Sequence, residues 1–315
     1  HHSTPGTPDQ ASAFTAQETS VPELSLPEGS DATVLVPRVR YATSHPHAEI
    51  LDWTSRALQG GTVGEVHLLE GTAKVSPSKE RVTDWSLVLK VQRQWSRPHD
   101  PESWRREFLM YQSGMLDDTG PTLAVPELLG ADVEDEAIWL WLERVEGVTG
   151  EDMGLGHYRQ VATDLGRMQG EYLAGRVLPR HRWFSSRRWV SATIGMWGMH
   201  AVHGLTRASA IAKQSGGLPR DLSRATMELW GERDRLLDRL DTFPRTLSHR
   251  DYHAANLFIR AGADGGPETV ALDWDCAGIG AISEDIGDMV AEAVVYFAYD
   301  PANAEELSET ALACY

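Results

Sequence analysis

Two cysteines in 315 residues, Cys276 and Cys314, leave neither a disulfide framework nor a CxxC or zinc-ligand spacing. That usage fits a reducing compartment and points to the cytoplasm. Long apolar runs are also missing. The stretch from Met289 to Tyr299 is broken by Glu292 and falls well short of the roughly 20 residues that cross a bilayer. No membrane partner is expected. Basic residues are outnumbered, 29 Lys and Arg against 46 Asp and Glu, for a formal net charge of −17. A field of that sign repels a phosphate backbone, which argues against nucleic acid, and it draws small cations toward the protein. Acidity also serves solubility on its own, so it supports a cationic ligand without requiring one. Finally, no GxxxxGK[ST] segment occurs, which removes the P-loop class of nucleotide enzymes.

What is present is material for a large core, with 41% hydrophobic residues. Residues 1–31 open with His1-His2-Ser3 and continue rich in Thr, Pro, Ser and Glu, which reads as a tag remnant and a flexible leader outside the fold. Ala32 to Tyr41 then reads as a β-rich lead-in, and Pro46-His47-Ala48 opens an expected helix through Ile50, Trp53 and Leu58. After a turn at Gly60, Gly61 and Gly64, Val66 to Glu70 and Trp85 to Val91 read as antiparallel strands joined by a loop at Ser76 to Lys79. Asp100 as N-cap and Pro101 at the first helical position predict a helix with Trp104, Phe108, Tyr111 and Met115 on one face. Glu102 and Arg106 would form an i,i+4 pair on its exposed side. Leu128 to Ala131 and Ala137 to Leu142 suggest two more strands, and from Gly150 onward the chain reads as mainly helical. The expected fold is α+β: a small antiparallel β-rich N-terminal lobe over residues 32–142, a larger mainly helical C-terminal lobe over 143–315, and a cleft between them.

The chemistry concentrates in two neighbouring segments, His249-Arg250-Asp251-Tyr252-His253-Ala254-Ala255-Asn256 and Leu272-Asp273-Trp274-Asp275. Phosphoryl transfer to an alcohol needs in-line positioning and neutralisation of phosphate oxygens, which divalent cations and a few fixed ligands supply. Asp251 suits the orientation or deprotonation of a hydroxyl. Asn256 and Asp273 are oxygen donors suited to Mg²⁺, and His249 suits a hydrogen bond to backbone that holds the loop in shape. Any one of these alone is more often a turn or cap residue. The joint pattern, flanking a β-hairpin-like stretch from Leu257 to Val270, is not. Taken singly, Lys90 at the end of its strand, Glu107 on the following helix and the loosely spaced glycines carry little information.

The run from Leu247 to Phe258, followed by Ala271-Leu272-Asp273-Trp274-Asp275-Cys276-Ala277-Gly278-Ile279-Gly280, resembles the aminoglycoside phosphotransferase and choline kinase superfamily, whose members have the protein-kinase-like fold. The resemblance extends from about Gln59 to Phe297. It implies ATP as phosphate donor, Asp251 as catalytic aspartate, Asn256 and Asp273 as the metal-binding pair, and Lys90 and Glu107 as the phosphate-binding ion pair. Gly60, Gly61 and Gly64, with Glu143 and Val145 at the lobe boundary, complete the candidate nucleotide-binding residues. Asp285 matches the aspartate that opens the next helix, for which Ser283 is the expected cap and Ile286, Met289, Val290, Ala293 and Phe297 the apolar face. Arg250 stands where the family most often has glycine. Many relatives also continue beyond the point matching Tyr315 with helices that help wall the acceptor pocket.

Two other classes compete. Alternating His249, Asp251 and His253 suit a metallohydrolase ligand set, which would need His200 or His203 as a further donor. A non-catalytic kinase-fold binding module would be recognised by loss of the lysine or of an aspartate, all of which are present. The expected partner is a small hydroxyl acceptor that is cationic or sugar-like: an aminoglycoside or related aminosugar first, then choline-like alcohols, homoserine or other sugars. Trp183, Phe184, Trp189 and Trp197, set among Arg182, Arg187 and Arg188, fall where such an acceptor would stack, although helix core is their commoner use.

Overall fold

Within the segment Val82–Arg93 burial alternates from Trp85 to Val91: Trp85, Leu87, Leu89 and Val91 are buried on one face of the strand, and Val88 and Lys90 point the other way. This strand, β3, sits at the centre of a five-stranded antiparallel sheet. The others are β1 (Glu49–Ala57), β2 (Glu65–Lys74), β5 (Leu128–Val133) and β6 (Ala137–Glu143), in the order β1-β2-β3-β6-β5. A computed structural model supplies the architecture and describes residues 33–58, 64–76, 81–95, 97, 99–120, 123–195, 198, 220–263 and 265–315. The expected strands at 66–70, 85–91, 128–131 and 137–142 all fall inside these elements.

Two expectations fail before β2. The β-rich lead-in is helix α1 (Leu35–Ala42), whose Leu35 and Val39, one turn apart, are fully buried against the sheet cluster that holds Leu87 and Trp141. Helical spacing of two core residues outweighs β-branched composition here. The helix expected through Ile50, Trp53 and Leu58 is instead β1. Its side chains are mostly exposed, so no alternation marks it, and its place is set by backbone pairing to β2 from Glu49↔Lys74 to Ala57↔His67.

The outward face of β3 and β6 is covered by α2 (Arg106–Gln112), with Trp104, Phe108 and Tyr111 packed on Ile138, Leu140 and Leu142. This helix starts later than expected, after a 3₁₀ turn at Ser103–Arg105, and Met115 lies beyond it in a separate turn. Asp100 is no cap, because its buried carboxylate is taken by Arg106. The expected Glu102–Arg106 pair does not form either. Arg106 is fully buried, and Glu102 pairs with Arg105 at 2.6 Å.

The C-terminal part contains α3 (Leu155–Leu173), α4 (residues 187–195), α5 (Arg220–Leu240), α6 (Glu284–Val295) and α7 (Ala304–Cys314). Two small sheets accompany these helices. One has the order β4-β10-β9-β7, from β4 (Leu123–Ala124), β7 (Val148–Thr149), β9 (Leu257–Ala261) and β10 (Pro267–Ala271). The other pairs β8 (Arg245–Ser248) with β11 (Gly278–Ala281). Tyr158, Val161, Leu165 and Met168 form one stripe of α3 and share a core with Leu247, Leu257, Trp274, Ile286, Met289 and Leu307. Ser283 does occupy the cap position of α6, but with φ 76° and no side-chain bond; Glu284 instead accepts from the Ala281 N–H at 3.0 Å. Phe297 lies past the end of α6 and is 75% exposed, so it leaves the apolar face. Among the described residues no helix is long and apolar enough to cross a membrane.

Candidate active site

β8 delivers the chain into His249-Arg250-Asp251, where Arg250 adopts a left-handed conformation at φ 65°. A turn of that kind leaves consecutive backbone N–H groups pointing one way, and a buried carboxylate meets them. Asp285 accepts from the His249 N–H at 3.0 Å, the Arg250 N–H at 2.8 Å and the Gln169 amide at 2.7 Å. Burial pushes the Asp285 carboxyl up to about 6 despite the two backbone donors. The Tyr315 hydroxyl in turn donates to Gln169, so α3 and the residue after α7 both brace the loop. The Arg250 guanidinium is tied to the Ser185 carbonyl at 2.8 Å and the Ile279 carbonyl at 2.9 Å, with Glu284 at 3.5 Å.

His249 is fully buried, and burial lowers its pKa, so the ring is neutral and its Nε2–H donates to the Leu272 carbonyl at 2.7 Å. This is the loop-holding bond expected of it. It also turns that nitrogen away from any shared metal, which disfavours the metallohydrolase arrangement.

The hairpin β9–β10 brings the two segments together. Leu257 pairs with Ala271, and the Leu272 N–H donates to the Asn256 carbonyl at 2.8 Å, so Asn256 and Asp273 flank the same end. The Asn256 amide donates to the Asp251 carboxylate and carbonyl, each at 3.0 Å. Its oxygen is thereby the atom left to face a cation. Asp273 is also left-handed, at φ 60° and ψ 65°, and one oxygen of its carboxylate meets Lys90 Nζ at 2.7 Å. Among the described residues no three His, Cys, Asp or Glu side chains converge as a self-contained metal site. A cation held by Asn256 and Asp273 therefore needs further oxygens, such as those of a polyphosphate, to complete its shell.

Lys90 lies on the β3 face covered by α2, which carries Glu107 to within 2.6 Å of Nζ. Gln92, one alternation further along the same strand, donates to Glu107 at 3.1 Å. Burial acts to lower the Lys90 pKa, but the carboxylates of Asp273 and Glu107 outweigh it, and the ammonium is held well above its ordinary value. Burial likewise raises Asp251, yet the attraction of His253, 3.6 Å away, and the Asn256 amide leave it below the usual carboxylate range.

The remaining candidates are less central. Gly64, at φ 123°, lies so close to β3 that a Cβ there would sit 2.7 Å from the Val91 carbonyl oxygen. Gly60 and Gly61 lie outside the described residues, as do Trp197, His200 and His203. Glu143 ends β6 and accepts from the Glu127 N–H at 3.1 Å and from Arg260. Val145 follows in an irregular segment and is half-buried. Trp189 is buried, and Trp183 and Phe184 pack on the core and on each other, as core aromatics do.

Sequence reasoning missed Gln92, Arg106 and the group around Asp251. In that group Asp288 accepts from the Tyr252 N–H at 3.1 Å, and His253 lies 3.8 Å from Glu292. A period-of-two extension from Lys90 would have found Gln92. Scarcity was a further signal, because lysine occurs only at positions 74, 79, 90 and 213.

Among curated proteins none matches the chain significantly. Among solved structures, an aminoglycoside phosphotransferase APH(3'')-Id from Streptomyces rimosus, in complex with ADP and streptomycin, is similar at 14% identity and TM-score 0.48, over 91% of this chain and 92% of that one. The GDP complex of wild-type aminoglycoside 2'-phosphotransferase-IIIa is similar at 14% identity and TM-score 0.44, over 90% and 87%. An ethanolamine kinase from Plasmodium vivax is similar at 12% identity and TM-score 0.44, over 84% and 67%. The family model described as phosphotransferase enzyme family matches residues 72–313. The antiparallel sheet followed by a helical body is the expected α+β arrangement, and with the larger part of its length matched by that model, the chain belongs to the phosphotransferase enzyme family.

Proposed function

We propose that this protein transfers the γ-phosphate of ATP, with Mg²⁺, to a hydroxyl of a small molecule, an aminoglycoside or related aminosugar being the first candidate. The observation that carries the reading is the joined set Glu107–Lys90–Asp273 and Asn256–Asp251, which lines up a phosphate-binding cation, two metal-donor oxygens and a carboxylate. Residues 32–142 serve as the nucleotide lobe and 143–315 as the catalytic and acceptor lobe. Glu107 holds Lys90 extended toward the phosphates, and Gly60, Gly61 and Gly64, with Glu143 and Val145, border the nucleotide. Asn256 and Asp273 would hold the metal ions, which when bound would neutralise the charge of the phosphates. Asp251 aims the acceptor oxygen and takes up its proton. Its depressed pKa keeps it ionised for that task. The net charge of −17 supports an amino-bearing acceptor.

Screening magnesium-dependent ATP consumption against aminoglycosides, aminosugars, amino alcohols and sugars tests the assignment. Asp251→Ala and Asp273→Ala are each expected to abolish turnover of the acceptor so found while leaving the fold intact. Full activity in either variant would sink it, and failure of every acceptor would favour the binding-module reading.

A further inference from the structure

Arginine density peaks in this acidic chain at residues 180–188, Arg-His-Arg-Trp-Phe-Ser-Ser-Arg-Arg. The segment borders an open groove of about 460 Å³, lined by Arg180, His181, Arg182, Phe184, Arg187 and Ile279 among others. Arg187 is neutralised by Asp241, 3.0 Å away. Arg180 and Arg182 are exposed, and no carboxylate among the described residues pairs with either. Two guanidiniums without a carboxylate partner among the described residues, two positions apart in a protein of net charge −17, run against the overall field. An unpaired arginine is ordinary on a surface; two of them lining one groove offer planar, bidentate donors of the kind that carboxylates and phosphates accept.

The groove is also built rather than draped. His181 stacks on Trp183 at 4.5 Å and meets Phe184 edge-on at 5.3 Å, which fixes the segment between the two arginines. Ser185, on its floor, bridges to Gly278, and Arg250 donates to the Ser185 carbonyl and hydroxyl. Arg250 also donates to the carbonyl of Ile279, a lining residue, so both walls are anchored on the residue preceding Asp251.

We propose that this groove is an oxyanion site for a phosphate- or carboxylate-bearing small molecule, with Arg180 and Arg182 as its charged contacts. The site stands on its own geometry and goes beyond the phosphotransfer reading. The anion has two possible origins, the anionic end of the acceptor itself or a separate effector.

Calorimetric titration of inorganic pyrophosphate into the full chain tests the proposal, with Lys90→Met/Glu107→Gln, which removes the ammonium without stranding the buried Glu107 carboxylate, as the background in which the nucleotide site is disabled. Binding is expected to survive Lys90→Met/Glu107→Gln, to weaken with added salt, and to weaken by about tenfold or more in Arg180→Ala/Arg182→Ala. Both arginines are exposed, so the double variant is expected to keep the wild-type melting temperature. Steady-state assays then separate the sources: competition with the acceptor marks its own anionic group, and a change of rate without competition marks an effector. No binding to the Lys90→Met/Glu107→Gln protein, or equal binding in the double-arginine variant, would overturn the site. Either result leaves the Asp251 and Asp273 tests untouched.

Discussion

Lys90 Nζ stands 2.7 Å from Asp273 Oδ1, although 183 residues separate them in the chain. The same ammonium lies 2.6 Å from Glu107, whose side chain is almost fully buried. One lysine thus joins strand β3, helix α2 and the loop after β10. Removing it strands a buried carboxylate, so Lys90→Met is expected to lower stability by about 3 kcal/mol as well as to abolish ATP turnover. The double variant Lys90→Met/Glu107→Gln is expected to recover most of the stability and none of the activity. Denaturant unfolding of the three proteins checks this, and additive losses would show that the pair is not coupled.

Gly64 gives a second test, at the mouth of the glycine turn. Its φ of 123° and the 2.7 Å separation that a Cβ would have from the Val91 oxygen leave no room for a side chain. Gly64→Ala is expected to cost about 2 kcal/mol of strain and to raise the KM for ATP more than it lowers kcat. An unchanged melting curve and an unchanged KM would contradict both points.

The half-buried acid Asp288 yields a pH dependence. Burial, followed by the like charges of Glu292, Asp285 and Asp251, pushes its carboxyl up to about 7 from 3.8, with His253 opposing. The folded state therefore holds this proton more tightly than the unfolded chain. Its contribution to stability falls as pH rises from about 4 through 7, and the full cost of the buried charge is carried above that. Asp288→Asn keeps an oxygen for the Tyr252 N–H and removes the charge. It is expected to melt a few degrees higher than wild type at pH 8, with the advantage vanishing toward pH 4. Calorimetry across that range decides, and a difference independent of pH would refute the assignment.

Arg106 supplies a fourth test. Fully buried, it donates to the Trp183 carbonyl at 2.6 Å and also bonds Asp100 and the Asp275 carbonyl. Arg106→Leu leaves the buried Asp100 carboxylate with only the more distant Arg97, 3.7 Å away, and is expected to destabilise by about 3 kcal/mol. Adding Asp100→Asn is expected to restore part of that loss, measured as a rise in the unfolding midpoint.

These residues also mark where sequence patterns run out. Asp251, Asn256 and Asp273 are legible because a short hairpin sets their relation, and hairpins are written locally. The face of β3 that bears Lys90 is legible from alternation. β1 is not, because an edge strand with both faces largely in water has no burial pattern and is specified by its neighbour's backbone. Arg106 reads as a surface partner of Glu102 because helix spacing alone does not tell which side of α2 meets the loop after Asp273. The bracing of Asp285 by Gln169 and Tyr315 joins three distant parts of the chain, and no local pattern announces it.

The β9–β10 hairpin has one further consequence. Asn256 and Asp273 sit at its open end, whereas the turn between Ala261 and Pro267 closes the opposite one. Five paired positions separate the chemistry from that tip. The tip is thus a natural port for a fluorophore or affinity handle, since lengthening a surface turn adds little closure entropy and leaves the ladder in register. A reporter placed there would travel with the catalytic hairpin without touching the atoms it carries.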